Sequence, residues 1–334
     1  MKAIVLAAGL GTRFRPLTDR WPKPAVPLLG QPLLRYTLAV LSRAGVTDLG
    51  LNTHHLASVM SRVAEEEAAR FGMKLTLSDE PVIQGTAGGI RGLRRLVDDT
   101  DVFLVWNGDA LFTPALGPLL EEHRAQGALA TLVLLPMPRG ATYGSVDIDE
   151  AGRVHRIAGQ GPGGEGLQAF HFSGVHLLSP RIFRAMAESG PEDINRDVYP
   201  RLLAQGELVR GAVVEAPWRD VGTPQGYLSA QEALLLGDVP DVFGQASPFA
   251  RAAGIGGIFR AEDAQLDGTA VAPVYLDAGA VVERGAHIGP NVYVGRGVRV
   301  PAGTSAAHAA LLEASAPKGE LENVIALEGS VLKA

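Results

Sequence analysis

Short apolar runs and amphipathic segments alternate along the chain up to residue 236. Apolar or alternating runs predict strands at 3–6, 48–52, 74–78, 101–109, 129–135, 143–149 and 169–178. Apolar residues at helical spacing predict helices at 33–44, 56–71, 116–126, 193–206 and 227–236. Strands that alternate with helices of this length indicate an α/β fold with a mostly parallel sheet.

A different spacing begins near residue 276. Aliphatic residues recur every six positions: Leu276, Val282, Ile288, Val294 and Val300. Glycines keep the same spacing, with Asn291 in the missing place: Gly279, Gly285, Gly297 and Gly303. A period of six fits neither a helix nor a plain strand, and it resembles the left-handed parallel β-helix. We expect about two to three coils, an irregular stretch at 306–318, and a last rung at Ile325 and Val331.

The change of spacing divides the chain into regions. Residues 1–236 form the predicted α/β domain, and residues 255–334 form the predicted β-helix. The stretch between them, 237–254, is rich in Gly, Pro and Asp, so it predicts a linker.

The composition is that of a globular protein with room for more than one domain, with 334 residues, 46% hydrophobic and 20% charged. A net charge of −6 gives no bulk attraction to nucleic acid or to a membrane surface, so we expect neither as a partner. The absence of Cys excludes disulfides and thiolate metal sites, and it agrees with a reducing compartment.

No apolar run approaches the ~18 residues of a membrane span. Three features argue against a signal peptide in the N-terminal run 3–10. The run is short, it contains Gly9, and it is followed at once by Arg13 and Arg15. It predicts a first buried strand, and we expect a cytoplasmic protein.

A loop dense in glycine and basic residues follows this strand. Residues 6–24 contain Gly9 and Gly11 with three arginines and a lysine. Backbone N–H groups in a glycine turn approach anions closely, and nearby cations hold a polyphosphate. The loop predicts a nucleoside triphosphate site, and the alternative is a basic surface loop interrupted by prolines. Gly9 and Gly11 are too close for a Walker A loop, and Phe14 replaces the third glycine of a dinucleotide fingerprint.

The loop also carries a long motif: Leu-Ala-Ala-Gly-Leu-Gly-Thr-Arg at 6–13, Pro-Leu-Thr at 16–18 and Pro-Lys-Pro-Ala-Val-Pro-Leu at 22–28. We call residues 6–28 the signature segment. It resembles the signature of the sugar-1-phosphate nucleotidylyltransferases, which implies a Rossmann-like α/β/α catalytic domain. The implied reaction converts a nucleoside triphosphate and a sugar 1-phosphate to an NDP-sugar and pyrophosphate. The resemblance places a set of residues against the nucleotide: Leu6, Ala8, Gly9, Gly11 and Thr12. It places Arg13 at the leaving pyrophosphate and Lys23 near the α-phosphate.

A second glycine-rich stretch spans 79–89 and enters a predicted helix. Such a stretch brings backbone groups against a ligand, and the alternative is a flexible turn before a helix. In the family a loop of this kind holds the nucleobase, which implicates Glu80, Gly85 and Thr86. A carboxylate accepts hydrogen bonds from the guanine edge, which favours GTP, although relatives that use UTP also carry Glu here.

Two acids are the candidate metal ligands. Asp109 ends a predicted strand, and ligands of open α/β sheets bind beyond the carboxyl ends of strands. Asp220 lies in Trp-Arg-Asp-Val-Gly-Thr at 218–223, which resembles the family motif whose Asp completes a Mg²⁺ site. Mg²⁺ takes few protein carboxylates plus phosphate oxygens. A structural, helix-capping Asp is the alternative for Asp109.

The sugar-binding candidates are Gly144, Glu165 and His171. His171 and His176 have opposite parity on their predicted strand and should face opposite ways. The chain departs from the family here, because many relatives carry Glu-Lys-Pro and this chain has Gln-Gly-Pro-Gly-Gly-Glu-Gly at 160–166. We expect Arg13 or another basic residue to contact the sugar phosphate instead.

The layout resembles mannose-1-phosphate guanylyltransferases, so mannose 1-phosphate with GTP is the favoured substrate pair. The alternatives are N-acetylmuramate 1-phosphate with UTP, glucose 1-phosphate with UTP or dTTP, and a regulatory subunit with a decayed site. Such β-helices also occur in acyltransferases, for which His287 and His308 are candidates, but nothing in the sequence indicates a CoA site. Homo-oligomerisation through the β-helix is left open.

Overall fold

The computed structural model describes residues 1–138, 144–243, 256–313 and 315–334. Its helices are α1 (Leu33–Arg43), α2 (Ala57–Arg70), α3 (Gly85–Gly92), α4 (Arg94–Val97), α5 (Leu116–Gln126), α6 (Tyr199–Ala204) and α7 (Pro224–Leu236). Short 3₁₀ turns lie at Thr12–Phe14, Leu17–Asp19, Lys23–Ala25 and Pro180–Arg184, and a π-helical turn lies at Ile194–Val198.

The strands up to residue 220 are β1 (Lys2–Leu6), β2 (Pro27–Leu28), β3 (Gln31–Pro32), β4 (Asp48–Thr53), β5 (Lys74–Asp79), β6 (Phe103–Asn107), β7 (Ala110–Phe112), β8 (Ala130–Pro136), β9 (Val146–Ile148), β10 (Val154–Ile157), β11 (Gln168–Leu178), β12 (Val209–Val213) and β13 (Trp218–Asp220). The later strands are β14 (Ile258–Arg260), β15 (Gln265–Leu266), β16 (Thr269–Ala270), β17 (Val274–Leu276), β18 (Val281–Val282), β19 (His287–Ile288), β20 (Val292–Val294), β21 (Arg299–Val300), β22 (Thr304–Leu311), β23 (Gly319–Leu327) and β24 (Ser330–Lys333).

The chain forms two compact units. The first unit contains Met1–Leu10 and Thr37–Trp218, and the second contains Gly11–Tyr36 and Arg219–Ala334. The domain boundaries at 236 and 254 stay a prediction. Residues 244–254 of the predicted linker lie outside the described residues.

The first unit is built on a mixed sheet with the strand order β10-β9-β11-β6-β1-β4-β5, and β8 and β12 continue it from β11. β1 is parallel to β4 and β6, and β4 is parallel to β5. β11 is antiparallel to β6, β8 and β9. The predicted α/β fold with a parallel sheet is confirmed, and β11 adds an antiparallel part.

The strands at the centre of this sheet are buried. Ile4, Phe103 and Val105 are fully buried and belong to one apolar core, in which Phe103 stacks on Phe183 with ring centroids 5.9 Å apart. Strands covered on both faces have continuous apolar runs, which is the pattern of β1 and β6. Burying each such side chain contributes about 1.5–3 kcal/mol, so the sheet provides a rigid base for the loops at its edge.

The helix predicted at 193–206 is present, but its first part is a π-helical turn. The π-helical turn Ile194–Val198 precedes α6, and Pro200 stands at the second position of α6. Proline has no N–H group to donate into the preceding turn, so the regular α-helical hydrogen bonding is broken at this point. Asp193 caps this segment, because its side chain accepts hydrogen bonds from the backbone N–H groups of Asn195 and Arg196.

The second unit contains the coils that the six-residue spacing predicts. Strands stack in parallel at an interval of 18 positions, since Leu276 is opposite Val294, Val282 is opposite Val300, and Ile288 is opposite Ala306. Three six-residue sides therefore form one coil. The five aliphatic residues of the pattern are all buried, and the four glycines and Asn291 have positive φ angles. The β-helix prediction is confirmed, and the positive φ explains why Gly or Asn occupies these places.

The end of the β-helix differs from the expectation. The stretch expected to be irregular contains β22, which pairs in parallel with β20 and β23. Its inward residues include Ala306 and Ala309, which are buried but carry little hydrophobic signal. β24 runs antiparallel to β23 and leaves Val331 42% exposed, so Val331 does not form an inward rung.

Candidate active site

A chain of hydrogen bonds joins the carboxyl ends of three parallel strands in the first unit. The backbone N–H of Ala7, after β1, donates to Asn52 Oδ1 at 2.7 Å, and Asn52 is near the end of β4. Asn52 Nδ2 donates to Glu80 Oε1 at 2.8 Å, and Glu80 directly follows β5. The backbone N–H of Gln84 donates to Glu80 Oε2 at 2.9 Å. The turn after β1 is thereby tied to the turn before α3.

Glu80, the predicted reader of the base edge, is only 5% exposed. Both of its carboxylate oxygens already accept a hydrogen bond from the protein. Each carboxylate oxygen has a second lone pair, so further acceptance is chemically allowed. The structure therefore gives Glu80 a role in holding the turn, and its contact with a base stays a prediction.

The glycine-rich turn 84–89 packs against residues that the sequence did not single out. Glu192 N donates to Gln84 O at 2.9 Å, and Glu192 O accepts from Ala87 N at 3.0 Å and from Gly88 N at 3.3 Å. Gly85 has a φ of +72°, and a Cβ at this position would collide with the Glu192 backbone. Only glycine fits there.

The side chain of Glu192 is fixed in turn. Its carboxylate accepts hydrogen bonds from both terminal nitrogens of Arg201 at 3.1 Å and from Ala187 N at 2.9 Å. Arg91 Nη1 lies 3.6 Å away. The carboxylate is therefore a buried charge with two cationic neighbours, directly behind the turn.

Thr86, predicted to bind the nucleotide, also has a structural role. Its hydroxyl donates to Asp193 Oδ2 at 3.1 Å and accepts from Ile194 N at 2.8 Å. The segment 192–194 thus supports the turn from Gln84 to Gly88 through both backbone and side chains. Only folding brings these segments together, since they are more than 100 positions apart in the sequence.

Asp109 lies in the turn between β6 and β7 and is half-buried. The preceding residue, Gly108, donates its backbone N–H to Leu6 O at 3.0 Å. The fold therefore places Asp109 at the carboxyl end of the central strands, beside the turn that follows β1. This is the position expected of a ligand-binding acid in an α/β sheet.

The predicted sugar-binding residues occupy different environments. His171 is 7% exposed and packs edge-on against Trp218 with ring centroids 4.6 Å apart, and Trp218 Nε1 donates to Ser173 O at 2.9 Å. Gly144 and Glu165 are exposed, and Tyr143, which precedes Gly144, lies outside the described residues.

His176 faces the core instead. Its Nδ1 is 2.6 Å from the Tyr199 hydroxyl oxygen, and burial lowers the pKa of His176 from 6.5 to about 3. A register shift in β11 lies between Phe172 and His176, and His171 and His176 are opposite Leu135 and Leu132 of β8. Partners three positions apart lie on opposite faces, which agrees with the different surroundings of the two histidines.

Arg156 is a cation that the sequence did not single out. Its guanidinium lies 3.7 Å from Asp147 Oδ2 and packs against Gly163, in the stretch where the family has Glu-Lys-Pro. Its side chain is 40% exposed. No motif identifies Arg156, because its approach to Asp147 depends on the β9–β10 pairing.

The second unit contains the rest of the signature segment. Gly11 has a φ of +64°, and its carbonyl accepts from the Thr18 hydroxyl at 2.8 Å. A Cβ at Gly11 would stand 2.7 Å from Thr18 Cγ2 and 3.2 Å from Lys23 Cγ, so the chain closes tightly here. Thr12 and Arg13 are exposed on the 3₁₀ turn that follows.

Two cations and a carboxylate converge beside Gly222. Asp220 Oδ1 accepts from Gly222 N at 2.8 Å. A Cβ at Gly222 would stand 2.8 Å from Asp220 Oδ1, 3.1 Å from Lys23 Nζ and 3.5 Å from Arg13 Nη2. An ammonium, a guanidinium and a carboxylate on one side of a bare backbone can bind phosphate groups and a hard cation.

Among the residues that the structure describes, no helix combines the length and apolar character needed to cross a bilayer.

The chain is similar to known proteins over most of its length. The family model described as nucleotidyl transferase matches residues 2–236. A mannose-1-phosphate guanylyltransferase from Mycobacterium tuberculosis is 33% identical over 311 residues, covering 90% of this chain and 81% of the relative. A probable mannose-1-phosphate guanylyltransferase from Oryza sativa is 30% identical, covering 90% of this chain and 82% of the relative.

A UTP–glucose-1-phosphate uridylyltransferase from Synechocystis is 29% identical, covering 72% of this chain and 65% of the relative. Among solved structures, HddC from Yersinia pseudotuberculosis complexed with GMP-PN has a TM-score of 0.59 at 24% identity, covering 70% of this chain and 99% of that chain. This likeness concerns the fold. With the family match over residues 2–236 and relatives similar over most of its length, the chain belongs to the sugar-1-phosphate nucleotidylyltransferases of the nucleotidyl transferase family.

Proposed function

We propose that the chain transfers a guanylyl group from GTP to mannose 1-phosphate, with Mg²⁺ as the metal. The observation that carries the phosphate chemistry is the convergence of Arg13, Lys23 and Asp220 beside Gly222. The substrate pair is supported by the relatives from Mycobacterium tuberculosis and Oryza sativa, which are named for it.

The reaction requires no general base from the protein, because the sugar phosphate is already an anion at neutral pH. One of its oxygens bonds to the α-phosphorus of the nucleotide, and the bond from that phosphorus to pyrophosphate breaks. Lys23 orients the α-phosphate and the incoming phosphate, and Arg13 neutralises the leaving pyrophosphate. Catalysis then consists of positioning and charge neutralisation.

The proposed metal ligands are Asp109 and Asp220. Asp220 Oδ1 accepts from Gly222 N, which orients the carboxylate. No cluster of three or more His, Asp or Glu side chains that could hold a metal occurs in the described residues. Mg²⁺ takes few protein carboxylates and completes its shell with phosphate oxygens and water. When bound, the ion would neutralise charge on the phosphates.

We propose that the nucleoside binds at two turns of the first unit, the turn after β1 and the turn before α3. Hydrogen bonds through Asn52 and Glu80 join these turns. Backbone contacts come from Leu6, Ala8 and Gly9, and from Gly11 and Thr12 after them. Glu80, Gly85 and Thr86 contact the base. The link through Asn52 supports this proposal, because it holds the turn after β1 and Glu80 in one network.

The sugar is proposed to contact Gly144, Glu165 and His171. Arg156 supplies a positive charge beside the stretch that lacks the family lysine, so it is the residue we propose to share the sugar-phosphate contact with Arg13. The cytoplasmic location and self-association through the β-helix stay predictions.

The test is pyrophosphate release across a matrix of GTP, UTP, dTTP and ATP with mannose, glucose and N-acetylmuramate 1-phosphates. We expect the highest kcat/KM for GTP with mannose 1-phosphate. A preference for UTP with glucose 1-phosphate would support the second candidate, which the Synechocystis relative favours. No release with any pair would favour a regulatory subunit.

A further inference from the structure

The stretch of the signature segment around Lys23 is held by the β-helix on both sides. We call residues 20–30 the lysine loop. Arg20 begins it, and its guanidinium pairs with the carboxylate of Glu313, in the turn after β22. Arg20 Nη2 also donates to Glu328 O at 3.3 Å, in the turn between β23 and β24. All of these residues belong to the second unit.

The other end of the lysine loop touches an earlier coil. Gly30 has a φ of +75°, and a Cβ there would stand 2.5 Å from Asp277 Oδ2 and 2.7 Å from the Tyr293 hydroxyl oxygen. Tyr293 donates this hydroxyl to Asp277 Oδ2 at 2.9 Å. Burial, and then the charge of Asp277, raise the pKa of Tyr293, so the hydroxyl stays protonated and keeps donating. The backbone at Gly30 therefore lies directly on this pair.

A helix adds a contact between these ends. Tyr227 of α7 donates its hydroxyl to Pro27 O at 2.7 Å. Four residues later on the same helix, Gln231 Nε2 donates to Ala309 O at 3.1 Å and to Asn291 O at 3.2 Å. α7 thus holds the lysine loop and is itself fixed to the coils.

The lysine loop contains little regular structure of its own. It comprises the 3₁₀ turn Lys23–Ala25 and the two-residue strand β2, which pairs only with β3 in the described residues. Segments with few internal contacts adopt one conformation only when external contacts fix them. The contacts of Arg20, Pro27 and Gly30 are of this kind, and Lys23 lies among them.

We propose that the β-helix positions the lysine loop for nucleotidyl transfer and that Arg20 is a positioning residue acting through its pairing with Glu313. This inference rests on the proposed role of Lys23 at the α-phosphate. Arg20 touches no substrate in this account. It fixes the start of the loop, three positions before Lys23, and a displacement of ~1 Å at a reacting group lowers the rate by about 10²-fold.

The test is a charge swap in the full-length protein. Arg20→Glu and Glu313→Arg each place two like charges together. The double variant restores a pair of opposite charges, with the two charges exchanged between the positions. We expect each single variant to lower kcat by about 10- to 100-fold with less than about a threefold change in the KM of either substrate. The double variant should recover to within about fivefold of the wild-type kcat. Arg20→Gln, a milder change, should lower kcat by a smaller factor.

The control is another ion pair on the surface, Arg124 with Asp101, whose atoms are 2.6 Å apart in the first unit. Arg124→Glu should leave kcat within about twofold of wild type, since surface pairs contribute little to stability and neither residue of this pair belongs to the lysine loop. Wild-type kcat in both Arg20 variants, or a double variant as slow as the singles, would overturn the positioning role.

Hydrogen exchange distinguishes a failure of this positioning proposal from a failure of the proposed function. The backbone N–H groups of Ala25 and Val26 are bonded to Pro22 O and Lys23 O, within the lysine loop. In Arg20→Glu these amides should exchange at least about fivefold faster, whatever the substrate of the enzyme is. Unchanged exchange would overturn the proposal, whereas faster exchange in an enzyme without turnover would support the contact and reject only the assigned reaction.

Discussion

The Asp220 carboxylate and the Lys23 ammonium lie against the same face of Gly222, at 2.8 and 3.1 Å from the place where a Cβ would stand. Residue 222 is therefore an indirect reporter of the site, since a methyl group there displaces both charged groups without removing either. Gly222 does not have the positive φ that only glycine adopts readily, so alanine is compatible with its backbone.

Gly222→Ala should lower kcat/KM for nucleotidyl transfer by about 10- to 100-fold, because Lys23 and Asp220 must move by a few tenths of an ångström or more. The melting temperature should change by less than about 2 °C. Steady-state pyrophosphate release and thermal unfolding measure the two quantities. Gly117→Ala is the matched control, because a Cβ at Gly117 meets nothing within 4 Å. Equal kcat/KM in the two variants would contradict the placement of the active site beside Gly222.

Asp109→Asn and Asp220→Asn should each lower Mg²⁺-dependent turnover by about 10²-fold or more while the fold stays intact. Asparagine has the size of aspartate but lacks the negative charge that a hard cation requires. Circular dichroism checks the fold, and activity after chelation and readdition of Mg²⁺ checks the metal. Near-normal turnover in either variant would reject that residue as a ligand.

Glu192→Gln should weaken the support behind the glycine-rich turn. Its carboxylate pairs with Arg201 and Arg91, and glutamine removes the negative charge from both pairs. We expect about 1–3 kcal/mol less stability in urea unfolding and a several-fold higher KM for the nucleotide than for the sugar phosphate. Glu207→Gln, the same change at an exposed position, is the control. Equal shifts of both KM values would argue against a specific effect on the nucleotide turn.

His176 should make the stability of the first unit depend on pH. Burial lowers the pKa of His176 from 6.5 to about 3 and, together with the nearby Arg124 charge, that of His123 to about 4. Between these values and 6.5 the unfolded chain binds protons that the folded chain does not, so the free energy of unfolding falls as pH decreases.

The variant His176→Phe isolates one of these groups. The stability advantage of wild type over this variant should shrink by about 2 kcal/mol between pH 7 and pH 5. Urea unfolding at a series of pH values measures it. A difference that is independent of pH would show that His176 is not buried in its neutral form.

The β-helix coils and the two candidate acids, Asp109 and Asp220, could be predicted because each belongs to a short pattern in the sequence. Leu276 and its six-spaced successors are large aliphatic residues, and each coil repeats the pattern. The last coils use Ala306 and Ala309, whose small side chains fill the same inward places with little signal in the sequence. Asp109 and Asp220 were identified because each stands in a motif, and their assignment as ligands remains a prediction.

Other residues could not be identified from local sequence. Glu192 reaches the turn at Gln84 through its backbone, and Arg20 reaches Glu313 across 293 positions. Such contacts depend on which surfaces the fold brings together, and single-sequence patterns carry only local information. The contact of Arg156 with Asp147 was missed for the same reason, since it comes from the pairing of β9 with β10.

The contact between Arg20 and Glu313 also sets an order of events during synthesis. Arg20 leaves the ribosome early, and its partner follows 293 residues later. At about 5–20 residues per second this delay is about 15–60 s. A nascent chain can therefore form the strands of its first unit well before the loop that carries Lys23 has its partners. The lysine loop is translated early and gains its last contacts late. Under the proposed positioning role, a chain released before Glu313 would be folded in part but slow as an enzyme.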